Sequence, residues 1–147
     1  MATYSFLDCH AALVGPGGSI NLGSGAAVAE EGITIDPVED INTMTIGADG
    51  KAMHSLHANK AAHVTVTLLK TSPVNKQLAL MYAFQTAAGA NHGQNTISVT
   101  NNQTGDVVTC QVVAFKKAPP LKYAKEGGTN EWAFDAGIVD RTLGDNA

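Results

Sequence analysis

The sequence predicts a mainly β fold, an antiparallel sandwich or barrel with one packed helix at about residues 72–87 and a long hairpin arm at about residues 36–60. Three observations predict it. Short runs of alternating apolar and polar residues recur along the chain, the period of half-buried strands. Fifteen glycines against five prolines fit frequent tight turns. Helical spacing occurs convincingly in one stretch, where Val74, Leu78, Met81 and Phe84 form a narrow apolar stripe. At 147 residues the chain reads most simply as one domain with room for a real core.

The elements follow in order. Residues 5–14 alternate, with Leu7, Cys9, Ala11 and Leu13 on one face and Phe6, Asp8, His10 and Ala12 on the other. Gly15-Pro16-Gly17-Gly18 is a turn and residues 19–22 a short return strand, giving an opening hairpin. Residues 23–31 read as a Gly/Ala loop, and residues 32–36 as a strand with Ile33 and Ile35 on its apolar side. In the arm, Ile41 to Ile46 runs into the turn chemistry of Gly47-Ala48-Asp49-Gly50, and residues 51–60 return. An arm too apolar for free solvent and too irregular for a core docks on a neighbour. Ala62, Val64, Val66 and Leu68 share one face of the next strand, with His63, Thr65 and Thr67 on the other. Ser72 offers an N-cap hydroxyl, Pro73 occupies the first helical position, and Gly89 closes the helix.

After a loop at 91–95, residues 96–101 form a strand with Ile97 and Val99 inward. Thr104-Gly105-Asp106 turns into residues 107–117, whose even positions Val108, Cys110, Val112 and Ala114 face the core. Ala118-Pro119-Pro120 and Glu126-Gly127-Gly128 break the pattern. The last strand, 130–140, sends Trp132, Phe134, Ala136 and Ile138 inward and Glu131, Ala133, Asp135, Gly137 and Val139 outward.

Only 15% of residues are charged, against roughly 25% in ordinary soluble domains, which suits a surface covered by copies of the same chain. A net charge of −4 argues against electrostatic binding of nucleic acid. The N-terminus lacks a basic and an apolar region, so no signal peptide is expected. The longest apolar run, inside residues 78–84, falls far short of the ~20 residues of a membrane span. Cys9 and Cys110 read as reduced thiols of a cytosolic protein, each in a strand and able to be neighbours in one sheet.

His54 and His57 have H-x-x-H spacing, with His63 beyond. A metal site and a polar interface both remain open; with Asp49 as the nearest acid, the spacing favours the interface. Gly15-Pro16-Gly17-Gly18 lacks the phosphate-loop pattern, Asp49-Gly50 lacks the alternating acids of a calcium loop, and Asn102-Gln103-Thr104 reads as a polar hairpin tip. No G-x-S-x-G elbow or Cys–His arrangement points to catalysis. The expectation is a non-enzyme with no catalytic residue, cofactor or metal. Glu131 and Asp135, with Asp140 following, make one face acidic: either an ordinary solvated face or one that repels an anionic polymer.

Taken together, SFLDCHAALVGPGGSINLGSGAAVAEEGITI, NTMTIGADGKAMHSLHANKAAHVTVTLLKTSPVN and KYAKEGGTNEWAFDAG resemble the tail tube protein of contractile-tailed bacteriophages and prophages over nearly the whole chain. The resemblance implies hexameric rings stacked into a hollow tube, each subunit adding strands to a continuous inner β-barrel with a helix outside. It implies a surrounding sheath, baseplate and tail-terminator proteins at the ends, and tape-measure protein and DNA transiently in the lumen. The particle would be a virion tail assembled in the host cytoplasm. Related tubes serve contractile injection and secretion machines with other cargo. Under the resemblance, Glu131 and Asp135 are candidates for the lumen, and Glu39, Asp40, Met44, Ile46, Asp49, Met53 and Leu56 for the contact of the arm with the next ring. A small metal-binding β-barrel built on His54, His57 and His63 is the contrasting reading.

Overall fold

The computed structural model describes residues 9–23, 28–101, 104–121 and 123–144; of residues 23 and 28–31 only the backbone is described. Residues 5–8 of the first predicted strand and Asn102-Gln103 of the polar hairpin tip lie outside them.

Among the described residues the elements are β1 (Cys9–Gly15), β2 (Gly18–Gly23), β3 (Val28–Pro37), β4 (Asn42–Ile46), β5 (Ala52–Leu56), β6 (Ala62–Leu69), α1 (Val74–Thr86), β7 (Asn95–Asn101), β8 (Asp106–Lys117) and β9 (Thr129–Thr142). Seven strands form one sheet in the order β2-β1-β7-β8-β9-β6-β3, and β4-β5 form a separate hairpin. Every neighbouring pair is antiparallel. The architecture is a single curled sheet, a half-barrel, rather than two stacked sheets. Chain length alone requires the curl. A flat seven-stranded sheet separates its edges by about 29 Å, yet β2 and β3 sit at opposite edges and only residues 24–27 join them, a span of about 18 Å at most.

The predicted strand 62–68 is present as β6 with its inward set intact: Ala62, Val64, Val66 and Leu68 are all buried. They pack with Leu13, Ile20, Leu22, Ile97, Phe115, Trp132 and Phe134 beneath α1. In α1, Val74, Leu78 and Met81 are buried as expected, but the stripe continues through Gln85, while Phe84 is half exposed. At 100° per residue Gln85 falls within about 20° of Val74 and Phe84 about 80° away from it. Gln85 satisfies itself there: its amide nitrogen donates to Asn95 Oδ1 at 2.7 Å and to Pro16 O at 2.9 Å, and Asn95 Nδ2 donates back at 2.7 Å. Gly15 leaves the space, since a side chain at that position would meet Asn95 Oδ1.

The helix ends also differ slightly from expectation. The Ser72 hydroxyl accepts from Val74 N–H at 3.3 Å, one residue ahead of the assigned N-cap Pro73. Gly89 does not cap the helix in a left-handed conformation; α1 ends at Thr86, Ala88 is extended, and Gly89–Asn91 forms a 3-10 turn. Trp132 Nε1 donates to Asn75 Oδ1 at 3.0 Å, tying the helix start to β9.

Three strand expectations are corrected. β3 begins at Val28, inside the predicted loop, because an irregularity between Val28 and Ile33, with Gly32 at φ 64°, hides the strand from any period-two reading. In β8, Val112 is exposed and Val113 and Phe115 are buried, so the inward set is Cys110, Val113 and Phe115. In β9, Ile138 is exposed and Val139 buried. One event explains both. Val112 adopts φ 56°, three β8 residues span the step that β7 covers in two, and the β9 partner row is Gly137. Gln111 pairs with Ile138 and Val113 with Ala136, so both strands flip face together.

Candidate assembly surfaces

The sheet has a filled face and a bare one. On the bare face Asp36, His63, Asp135 and Ala114 form one lateral row, since Asp36 pairs with His63, His63 with Asp135 and Asp135 with Ala114. The next row holds Thr34, Thr65 and Ala133. Glu131 pairs with Thr67. The lumen candidates Glu131 and Asp135 are thus both exposed, on one face, four residues apart. Asp135 is not isolated: its Oδ1 lies 2.7 Å from His63 Nδ1, an exposed pair. Asp140 sits 4.0 Å from Lys60 Nζ, a solvent-exposed contact of little energetic weight.

The arm leaves the body at one point. Val38 N–H donates to Ala61 O at 3.1 Å, and beyond it β4 and β5 pair only with each other. Register assigns its faces: Asn42 opposes Leu56, Met44 opposes His54 and Ile46 opposes Ala52, all on one face. Thr43, Thr45, Met53 and Ser55 share the other. Of the candidate arm residues, Met44, Ile46 and Leu56 therefore act together, each at least half exposed, while Met53 points to the opposite side. Asp49 lies at the tip, where its Oδ1 accepts from Lys51 N–H at 3.1 Å. Glu39 and Asp40 lie at the root, lining a cleft of about 440 Å³ with Asn59, Lys60 and Arg141.

The three histidines do not converge. His54 bonds Asn42 at 3.2 Å and His57 bonds Thr43 at 2.8 Å, on opposite faces of the arm, and His63 is with Asp135 in the sheet. No group of three His, Cys, Asp or Glu side chains among the described residues could hold a metal. Cys9 and Cys110 share the sheet but lie on either side of β7, at Asn101 and Ile97, so their separation is about 16 Å and too long for a disulfide. Burial pushes the Cys110 thiol above its ordinary range, with Arg141 pulling weakly the other way.

The sheet is open-edged, with one bare polar face and an uncovered apolar arm. Solved structures share the fold. The chain matches one in the virion of a native gene transfer agent particle, with TM-score 0.56, 11% identity, and 95% of this chain and 99% of that one covered. It matches the tube-terminating cap of the anti-feeding prophage at TM-score 0.55 and 11% identity, over 97% and 94%. It matches the sheath-tube complex of the extracellular contractile injection system PVC at TM-score 0.54 and 10% identity, over 96% and 92%. The class is that of phage-tail-like tube folds.

The family is narrower. A family model described as bacteriophage PhiTE tail tube protein matches residues 1–144, and the chain belongs to that family. Comparison with curated protein sequences gives no significant match.

Proposed function

We propose that this chain is the repeating subunit of a hollow tail tube, six copies closing a ring and the rings stacking into a continuous inner β-barrel that conducts DNA during ejection. The observation that carries this is the half-barrel with two open edges, β2 and β3, and one unfilled polar face. Unpaired strand edges recruit other strands, and closure into a ring removes the hazard. The bare face, with Glu131 and Asp135, then lines the lumen, where negative charge lets an anionic polymer slide instead of being held phosphate by phosphate. Helix α1 lies on the other face, outside, toward a sheath; the arm reaches the adjacent ring. Tape-measure protein and DNA pass through the lumen, baseplate and terminator proteins close the ends, and the subunit acts as no enzyme.

The likeness to a contractile injection system supports a second reading, the same ring with a cargo other than DNA. Negative-stain electron microscopy of the purified chain, with sedimentation across a concentration series, tests ring formation. Uniform rings or tubes are expected; a monodisperse monomer at high concentration would oppose the proposal. Co-purification of tubes with DNA-filled particles would separate the two cargo readings.

A further inference from the structure

We infer that Val14, Val112 and Ile138 form an apolar belt on the bare face that holds a protein segment inside the lumen, an amphipathic helix bearing Lys or Arg to either side of its apolar cluster; this rests on the tube reading above. Register sets the belt in one lateral row. Val14 pairs with Thr96. Asn95 pairs with Val113 and Ile97 with Cys110, so Thr96 faces Gln111 and Val112 together. Gln111 pairs with Ile138 and Val113 with Ala136, which leaves Val112 over Gly137. Leu13, Ile97, Val113 and Val139 beside them are buried, so the row stands on the other side of the sheet, with Val14 at 53%, Val112 at 57% and Ile138 at 40% exposure. The irregularity creates the belt. Regular alternation carried on from Cys110 and Ala136 would turn Val112 and Ile138 into the core.

Val112 is a costly residue for its backbone. A β-branched side chain at φ 56° is strained where glycine or asparagine would fit. Exposed as it is, Val112 gains no core packing to offset that strain, and strain of this kind gathers at binding sites. Apolar side chains exposed together in one row, rather than scattered singly, mark a contact surface. The charges on either side say what it contacts. On one side the next row holds Asp36, His63 and Asp135; on the other it holds Ala12, Ser98, Thr109 and Asp140. Asp135 and Asp140 stand about 17 Å apart along β9, with the belt between them. The Lys60 contact with Asp140, at 4.0 Å and exposed, is weak enough to yield to a second cation. Duplex DNA offers the belt no apolar surface and is repelled by the carboxylates. A helix with basic residues about five positions to either side of an apolar cluster, ~8 Å along its axis, meets both the belt and the acids.

The test uses tubes of the full chain and a labelled synthetic helix of leucine, alanine and lysine with that spacing, read by co-sedimentation. A copy with glutamate in place of lysine and a DNA duplex are the controls. Wild-type tubes should retain the lysine helix and neither control. Val14→Thr with Val112→Thr and Ile138→Thr changes exposed positions, so tubes should form as before while the helix binds about tenfold or more weakly. Val112→Asn alone should weaken binding although it relieves the backbone, an opposition of affinity and stability that a purely structural residue would not show. Asp135→Asn with Asp140→Asn should weaken binding and flatten its dependence on salt. Undiminished binding by the threonine variant, equal retention of the glutamate copy, or wild-type tubes that retain no helix would each overturn the inference while the tube reading stands. Absence of rings and tubes in the wild type would remove both.

Discussion

Replacing Gln85 by leucine should cost more than its chemistry suggests, and replacing its partner too should return much of the loss. Gln85 and Asn95 are both fully buried and exchange two hydrogen bonds at 2.7 Å, with a third from Gln85 to Pro16 O at 2.9 Å. Gln85→Leu leaves three groups without a partner: the Asn95 amide nitrogen, its oxygen and the Pro16 carbonyl. At ~1–3 kcal/mol each, offset by roughly 1–2 kcal/mol from the added apolar burial, the expected cost spans about 1–8 kcal/mol and centres on about 4–5 kcal/mol. That is a large part of the ~5–15 kcal/mol that holds a domain of this size. The double variant Gln85→Leu, Asn95→Leu leaves only the Pro16 carbonyl, so its cost should fall to about 1–3 kcal/mol. Urea unfolding of dissociated subunits, followed by Trp132 fluorescence, measures all four corners of the cycle. A Gln85→Leu cost below about 1 kcal/mol, or singles that simply add, would refute the reasoning.

The remaining expectations are shorter. Val112 holds a left-handed conformation at 57% exposure, so Val112→Asn should raise subunit stability by about 1 kcal/mol in the same urea assay. Gly137→Val should lower it by ~1–3 kcal/mol, because even the first added carbon meets Val112 Cβ at 3.1 Å. The raised Cys110 thiol contributes stability present below the unfolded thiol value, ~8.5, and lost as pH rises through the folded one; the wild type minus Cys110→Ala difference should shrink across that alkaline window. If Glu131 and Asp135 line the lumen as proposed, Glu131→Lys with Asp135→Lys should make assembled tubes retain duplex DNA at low salt where wild-type tubes do not, read by co-sedimentation.

Much of this architecture was legible in the residues. β6 and the opening hairpin carry unbroken alternation with β-branched or glycine-rich punctuation, and the Ser72-Pro73 start marks the helix. What the pattern hid has one physical cause in three places: a local break in period. The Gly32 irregularity conceals the first half of β3, and the Val112–Gly137 row inverts two strands at once. Gln85 was missed because a polar residue on a buried stripe announces itself only through its partner, Asn95, ten positions on. The arm was visible from its turn, but only register shows that Met44, Ile46 and Leu56 form one face without Met53.

The central claim concerns which face of the half-barrel meets the channel. A helical cryo-EM reconstruction of tubes grown from the purified chain decides it most directly. The account predicts closed rings with Glu131 and Asp135 on the inner wall, α1 on the outer wall, and each arm seated on the ring beyond. A tube with α1 lining the channel, or rings joined without strand pairing at β2 and β3, would contradict it.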